Sequence, residues 1–124
     1  MKINGSYDAP WGIRITPALR FQQGQPFGRT FLAGLANGIN YGSQRILAEP
    51  LTARRQDDIA IVDIRAEKFF RYSKGRRLGV FGDVYNLTNS AAAQNITWNS
   101  GTAFLQPVSI IGPTIMRFGV KFDW

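Results

Sequence analysis

The chain contains neither cysteine nor histidine. Without cysteine there are no disulfide staples, no thiolate metal ligands and no thiol nucleophile. Without histidine, most zinc sites, any His-based triad and the usual general base are excluded as well. No enzyme activity, cofactor or metal is therefore expected. Long apolar runs are also missing: no stretch reaches the roughly 18 residues that a transmembrane helix requires. The opening MKINGSYDAP has no apolar signal-peptide core, so no export signal is expected in it. Helical periodicity is scarce throughout.

Acidic residues are few, eight against 15 Lys and Arg, which leaves a net charge of +7. Such a surplus suits phosphate-bearing partners, but a nucleic-acid surface needs its cations on one stripe. The two candidate clusters are Arg71, Lys74, Arg76 and Arg77 in one turn and Arg54 with Arg55 in a long loop. They belong to opposite ends of the sheet inferred below.

Period-two alternation recurs in five places, each bounded by Gly, Pro, Asn or Asp. KINGSYDA places Ile3, Gly5, Tyr7 and Ala9 on one face. IRITPALRFQ does the same with Ile13, Ile15, Pro17, Leu19 and Phe21, and Pro17 predicts a bulge or an unpaired donor position. IAIVDIRAEKFF aligns Ala60, Val62, Ile64 and Ala66. LGVFGDVYNL aligns Leu78, Val80, Gly82 and Val84. In TIMRFGVKFDW the apolar set is Met116, Phe118, Val120, Phe122 and Trp124. Arg14, Arg20, Asp63, Arg65, Glu67, Asp83, Arg117 and Lys121 all fall on the opposite parity; Lys68 alone breaks the rule, near a strand end where its stem can snorkel.

APWG joins the first two strands and RYSKGRR the third and fourth, whereas residues 24–57 and 88–112 are long, glycine-rich excursions. Alternation alone suits a soluble sandwich or barrel equally well, since both bury one face. Loops this long are uncommon in compact soluble sheets, and short turns at one end with long loops at the other are the habit of outer-membrane barrels. Strands of about ten residues, tilted near 45°, cover the apolar band of about 25 Å. A final tryptophan suits the lipid boundary.

Antiparallel pairing about RYSKGRR brings Arg65 near Asp83, Glu67 near Phe81 and Asp63 near Tyr85, and Asp8 faces Arg14 across the first turn. These pairs read as wall electrostatics rather than catalysis. Glu49, Asp57 and Asp58 match no EF-hand spacing and read as solvated loop charge. Arg54 and Arg55 are candidates for lipopolysaccharide phosphates. Phe27, Phe31, Tyr41, Trp98 and Phe104 read first as loop packing and second as a ligand vestibule.

Alternate apolar residues ending in Trp, here Phe118, Val120, Phe122 and Trp124, resemble the C-terminal signal read by the barrel assembly machinery of Gram-negative outer membranes. FGDVYNLTN is similar to the DVYNLFN-type strand of TonB-dependent receptors, with Thr88 where that motif has Phe. GQPFGRTF, RRQDDIAIVDIRAEKFF and the closing GVKFDW are similar to the same region, particularly of Oar-like members. The resemblance implies a 22-stranded barrel plugged by an N-terminal domain, which moves ligands across the outer membrane on energy relayed by TonB. Residues 1–124 would then be part of that barrel domain, without the plug and the earlier strands.

The expectation is an all-β fold, an antiparallel meander of about five strands that forms the C-terminal part of a transmembrane β-barrel. The polar set Arg14, Arg20, Asp63, Arg65, Glu67, Asp83, Arg117 and Lys121 would line the lumen. Partners would be outer-membrane lipid, the assembly machinery and the rest of the barrel and plug, with no nucleic acid. The competing expectation is a small soluble basic β-barrel that binds single-stranded nucleic acid through stacked aromatics.

Overall fold

A computed structural model describes residues 1–72 and 75–124; Lys74 of the expected basic turn lies outside the described residues. The fold is all-β with antiparallel sheets, and helical structure is confined to short 3-10 segments such as Pro10–Gly12 and Leu35–Asn37. Two compact units are present. Met1–Gln22, Ala60–Ser90 and Gly112–Trp124 form the first; Gln23–Ile59 and Ala91–Ile111 form the second.

The first unit is one meander. β1 (Lys2–Asn4) and β2 (Tyr7–Ala9) are consecutive pieces of an edge strand, both paired with β3 (Ile13–Gln22). Next to β3 lies β8 (Ile59–Arg71), followed by β9 (Arg77–Tyr85) and β12 (Ile115–Asp123) at the other edge. The turn Pro10–Gly12 closes the first hairpin with positive φ at Trp11 (66°) and Gly12 (73°). Only glycine adopts such angles freely, and a Cβ at Gly12 would stand 2.9 Å from the Phe69 carbonyl oxygen.

Pro17 produces the unpaired position and not the bulge. The register is the same on both sides of it, Asn4 opposite Ala18 and Tyr7 opposite Ile15, so no residue is inserted. The Gly5 amide donates to the Pro17 carbonyl at 3.2 Å, and proline has no N–H to return. A residue's N–H and C=O point to the same side of an antiparallel strand, so the missing donor faces the edge strand and not β8. That is where the expected single strand 2–9 breaks in two.

Glycines at three rungs of the sheet are covered by phenylalanine from the neighbouring strand. Phe69 is opposite Gly79, Phe81 opposite Gly119, and Phe118 opposite Gly82. A Cβ at Gly119 would come within 2.4 Å of the Phe81 ring, and one at Gly82 within 3.2 Å of the Phe118 ring. The rings thus supply the side-chain mass that the glycines lack, and they fix the register of β8, β9 and β12.

The second unit corrects the reading of residues 24–57 and 88–112 as irregular excursions. β4 (Pro26–Phe27) pairs with β7 (Arg54–Arg55), β5 (Thr30–Ala33) with β6 (Gln44–Leu47), and β10 (Ala93–Ile96) with β11 (Pro107–Ile110). A Cβ on Gly24 would collide with the Gln56 carbonyl oxygen at 1.7 Å, which explains a glycine where the two arms of the first excursion come together. Phe27, Ala33, Ile59 and Ile111 are the buried apolar residues of this unit.

Candidate functional site

The register sorts the first unit into two faces. On one face, every rung of β8, β9 and β12 sets apolar against apolar except where Lys68 stands. Ile64, Val84 and Met116 share a rung, as do Ala66, Gly82 and Phe118, and Phe70, Leu78 and Phe122. Ile3 opposes Leu19 and Tyr7 opposes Ile15 on the same face. This surface is uncovered: Phe118 is 79% exposed and Trp124 95%, and Met116, Val120 and Phe122 are also exposed. The four residues of the terminal apolar pattern, Phe118, Val120, Phe122 and Trp124, therefore lie on one open surface, with the Phe122 and Trp124 rings edge to face at 6.0 Å.

The opposite face holds the charge. Arg65 sits across from Asp83, which in turn sits across from Arg117. Asp83 is only 3% exposed, and each carboxylate oxygen has its own arginine: Arg117 donates to Oδ2 from Nε at 2.9 Å and Nη2 at 2.6 Å, while Arg65 Nε is 3.7 Å from Oδ1. The two guanidiniums also flank the Phe81 ring, at 4.2 Å for Arg65 and 5.9 Å for Arg117. Arg65 Nη2 donates to Glu67 at 2.7 Å. The result is a row of alternating charge packed on an aromatic, in which the carboxylates of Asp83 and Glu67 are each held by arginine.

The remaining polar residues join this face less tightly. Asp8 and Arg14 are cross-strand partners joined by Arg14 Nε at 2.6 Å, and the Arg14 guanidinium stands 5.6 Å over Phe69. Arg20 is opposite Lys2, and both share a cleft with Asp63. Lys121 lies 3.7 Å from Asp123. Asp63 and Tyr85 lie one step beyond the last rung, Ile64 opposite Val84, and Asp63 Oδ1 accepts the Asn86 amide at 2.8 Å.

Asn86 is the residue that pattern reading passed over. With φ of 51°, it turns the chain out of β9, and its side chain ties that turn to the start of β12. Its Nδ2 donates to the Ser90 carbonyl at 3.0 Å and the Gly112 carbonyl at 2.8 Å, and its Oδ1 accepts the Ser90 amide at 2.9 Å. Thr114 Oγ1 donates to the Asn86 carbonyl at 2.7 Å. Asparagine is among the few residues that tolerate the left-handed region, so the NLTN stretch was the available signal.

In the second unit, most of the loop aromatics are packing groups. Phe27, 2% exposed, stacks on Trp98 at 5.8 Å. Phe104 lies beneath Arg29 at 5.7 Å and Arg54 at 5.3 Å. Tyr41 is exposed and Phe31 half-buried. Glu49 is no solvated loop charge: it accepts Arg54 Nε at 2.8 Å and pairs with Arg29 at 3.2 Å. The Arg54 hydrogen bond outweighs desolvation and holds the Glu49 carboxyl below its ordinary value, while Arg54 is pushed up in turn. Arg55 donates to the Gly24 carbonyl at 3.1 Å and Asp58 accepts the Gly24 amide at 2.8 Å. Arg54 and Arg55 are thus each engaged within the fold, though both remain exposed and keep further donors. Among the described residues, no three carboxylates cluster as a metal site would require.

No family model, curated protein or solved structure matches the chain.

Proposed function

We propose that the chain is the C-terminal wall segment of a TonB-dependent, Oar-like outer-membrane receptor. Its apolar face meets acyl chains, and its Arg65–Asp83–Arg117 face lines a water-filled lumen. The single observation behind this reading is the open apolar surface held in register across the sheet, backed by a face on which the strand charges pair. A soluble protein of this size would bury such a surface, because a contiguous apolar patch of this extent otherwise drives association.

The sheet edges support the same conclusion. β1 and β12 each have one partner among the described residues. In hydrocarbon, each unpaired backbone group costs several kcal/mol, and closing a membrane barrel takes about eight strands or more. The edges therefore join further strands of the receptor, and the plug domain fills the lumen. Phe118, Val120, Phe122 and Trp124 would present the insertion signal to the assembly machinery. Ligand movement would depend on the whole receptor.

Cell fractionation tests this reading. The chain is expected in the detergent-extracted outer-membrane fraction, and deletion of Trp124 should lower its recovery there severalfold. Recovery in the soluble fraction, with salt-dependent retardation by single-stranded oligonucleotide, would favour the nucleic-acid reading instead. That alternative has less behind it. Base stacking needs open ring faces, whereas Phe27 and Trp98 stack on each other, Phe69, Phe81 and Phe104 are already covered by arginine, and Phe118 and Phe122 lie on the face away from the strand charges.

A further inference from the structure

Lys68 is the one strand charge on the apolar face, and its surroundings give it more than a snorkelling role. On that face Lys68 shares a rung with Val80 and Val120. The next rung away from the turn is Ala66, Gly82 and Phe118, where two small residues stand beside one large ring. Their difference in height leaves a largely apolar groove of about 490 Å³ between Ile13, Ala66, Val80, Gly82 and Phe118, with Lys68 on its wall and Glu67 and Phe81, residues of the opposite face, also bordering it.

The mouth lies at the boundary of the sheet. Lys68 Nζ donates to the carbonyl of Trp11, in the Pro10–Gly12 turn, and it approaches the Phe70 ring at 5.7 Å. Trp11 itself is 82% exposed. An ammonium carries three donors, so two remain open towards solvent at the level of the short turns. A cation at the rim, an amphipathic ring beside it and an apolar channel leading away match the layout of a lipid: phosphate first, acyl chain after.

We infer that this groove is a binding site for an anionic glycerophospholipid of the leaflet at the short-turn end, with the phosphate on Lys68 and one acyl chain over Ala66 and Gly82 against Phe118. The inference rests on the membrane reading above. Charge complementarity selects the occupant: Lys68 is the one strand charge on this face, and Glu67, which borders the groove from the opposite face, is already paired with Arg65 at 2.7 Å. A basic side chain near a membrane surface contributes about 1 kcal/mol towards anionic lipid, which is about fivefold in occupancy.

The test uses the full chain in isolated outer membranes, with diazirine-acyl phosphatidylglycerol or diazirine-acyl phosphatidylcholine as probe and adducts mapped by mass spectrometry. Labelling within residues 66–82 should favour phosphatidylglycerol about fivefold. Lys68→Gln should abolish that preference, and Ala66→Trp, which fills the groove and keeps the charge, should reduce labelling by either lipid. Equal labelling of the unaltered chain by both lipids, or labelling indifferent to both substitutions, overturns the site alone. A chain missing from the outer-membrane fraction overturns the membrane reading and the site together.

Discussion

At the scale of single residues, Asp83 is the member of the polar wall with the most to lose. Its carboxylate is buried under two arginines that keep solvent contact of their own, so truncation strands two like charges while truncating either arginine leaves the carboxylate one partner. Asp83→Ala is expected to cost about 1–3 kcal/mol, and Arg65→Ala about 0–1 kcal/mol, read as shifts in the urea midpoint of the membrane-embedded chain. Glu49 gives a pH signature. Its folded pKa lies below the ordinary carboxyl value of 4.5, so its ion pairs stabilise the second unit above that pH and are lost as pH falls through the lowered folded value. Acidification should therefore expose the Trp98 environment, seen as a fluorescence change that Glu49→Gln removes from that pH range. The Arg65–Asp83 pairing was legible because one short turn sets one register. Arg117 as the second arm was not, since β9 and β12 are joined through a long connection whose length specifies no register. Asn86 was missed for another reason: it works through a left-handed turn and three carbonyl and amide partners, which alternation does not encode.

At the scale of elements, β12 carries the sharpest contrast. Val120 and Lys121 are adjacent, yet one lies on the apolar face with Val80 and the other on the charged face across from Gly79. If that face meets acyl chains, Phe118→Arg, one rung further from the short turns than Lys68, places a charge in hydrocarbon at a cost of up to about 2–4 kcal/mol, while Lys121→Ser removes a charge from a wet surface. The first should reduce recovery of the chain in outer membranes strongly; the second should leave it unchanged. Strand positions were legible for the same reason these outcomes differ: a period of two survives intact across nine or ten residues of β3, β9 and β12. The pairs β4–β7, β5–β6 and β10–β11 escaped notice because strands of two to four residues hold too few alternations to read. Close backbone approach at Gly24 also looks, in sequence, like ordinary loop glycine.

At the scale of the molecule, the meander was legible because its strands follow one another in space in the order they occur along the chain, with short turns at one end and long connections at the other. What covers the apolar face was not, because alternation is the same against lipid and against a protein core. The decisive measurement is single-cysteine accessibility along residues 115–124 in native outer membranes, a clean background since the chain has no cysteine of its own. Positions 116, 118, 120 and 122 should react with a lipid-soluble maleimide and resist a charged thiol reagent, while 117 and 121 should do the reverse. Uniform reaction with the charged reagent, or the opposite phase of the two-residue period, would contradict a lipid-facing wall.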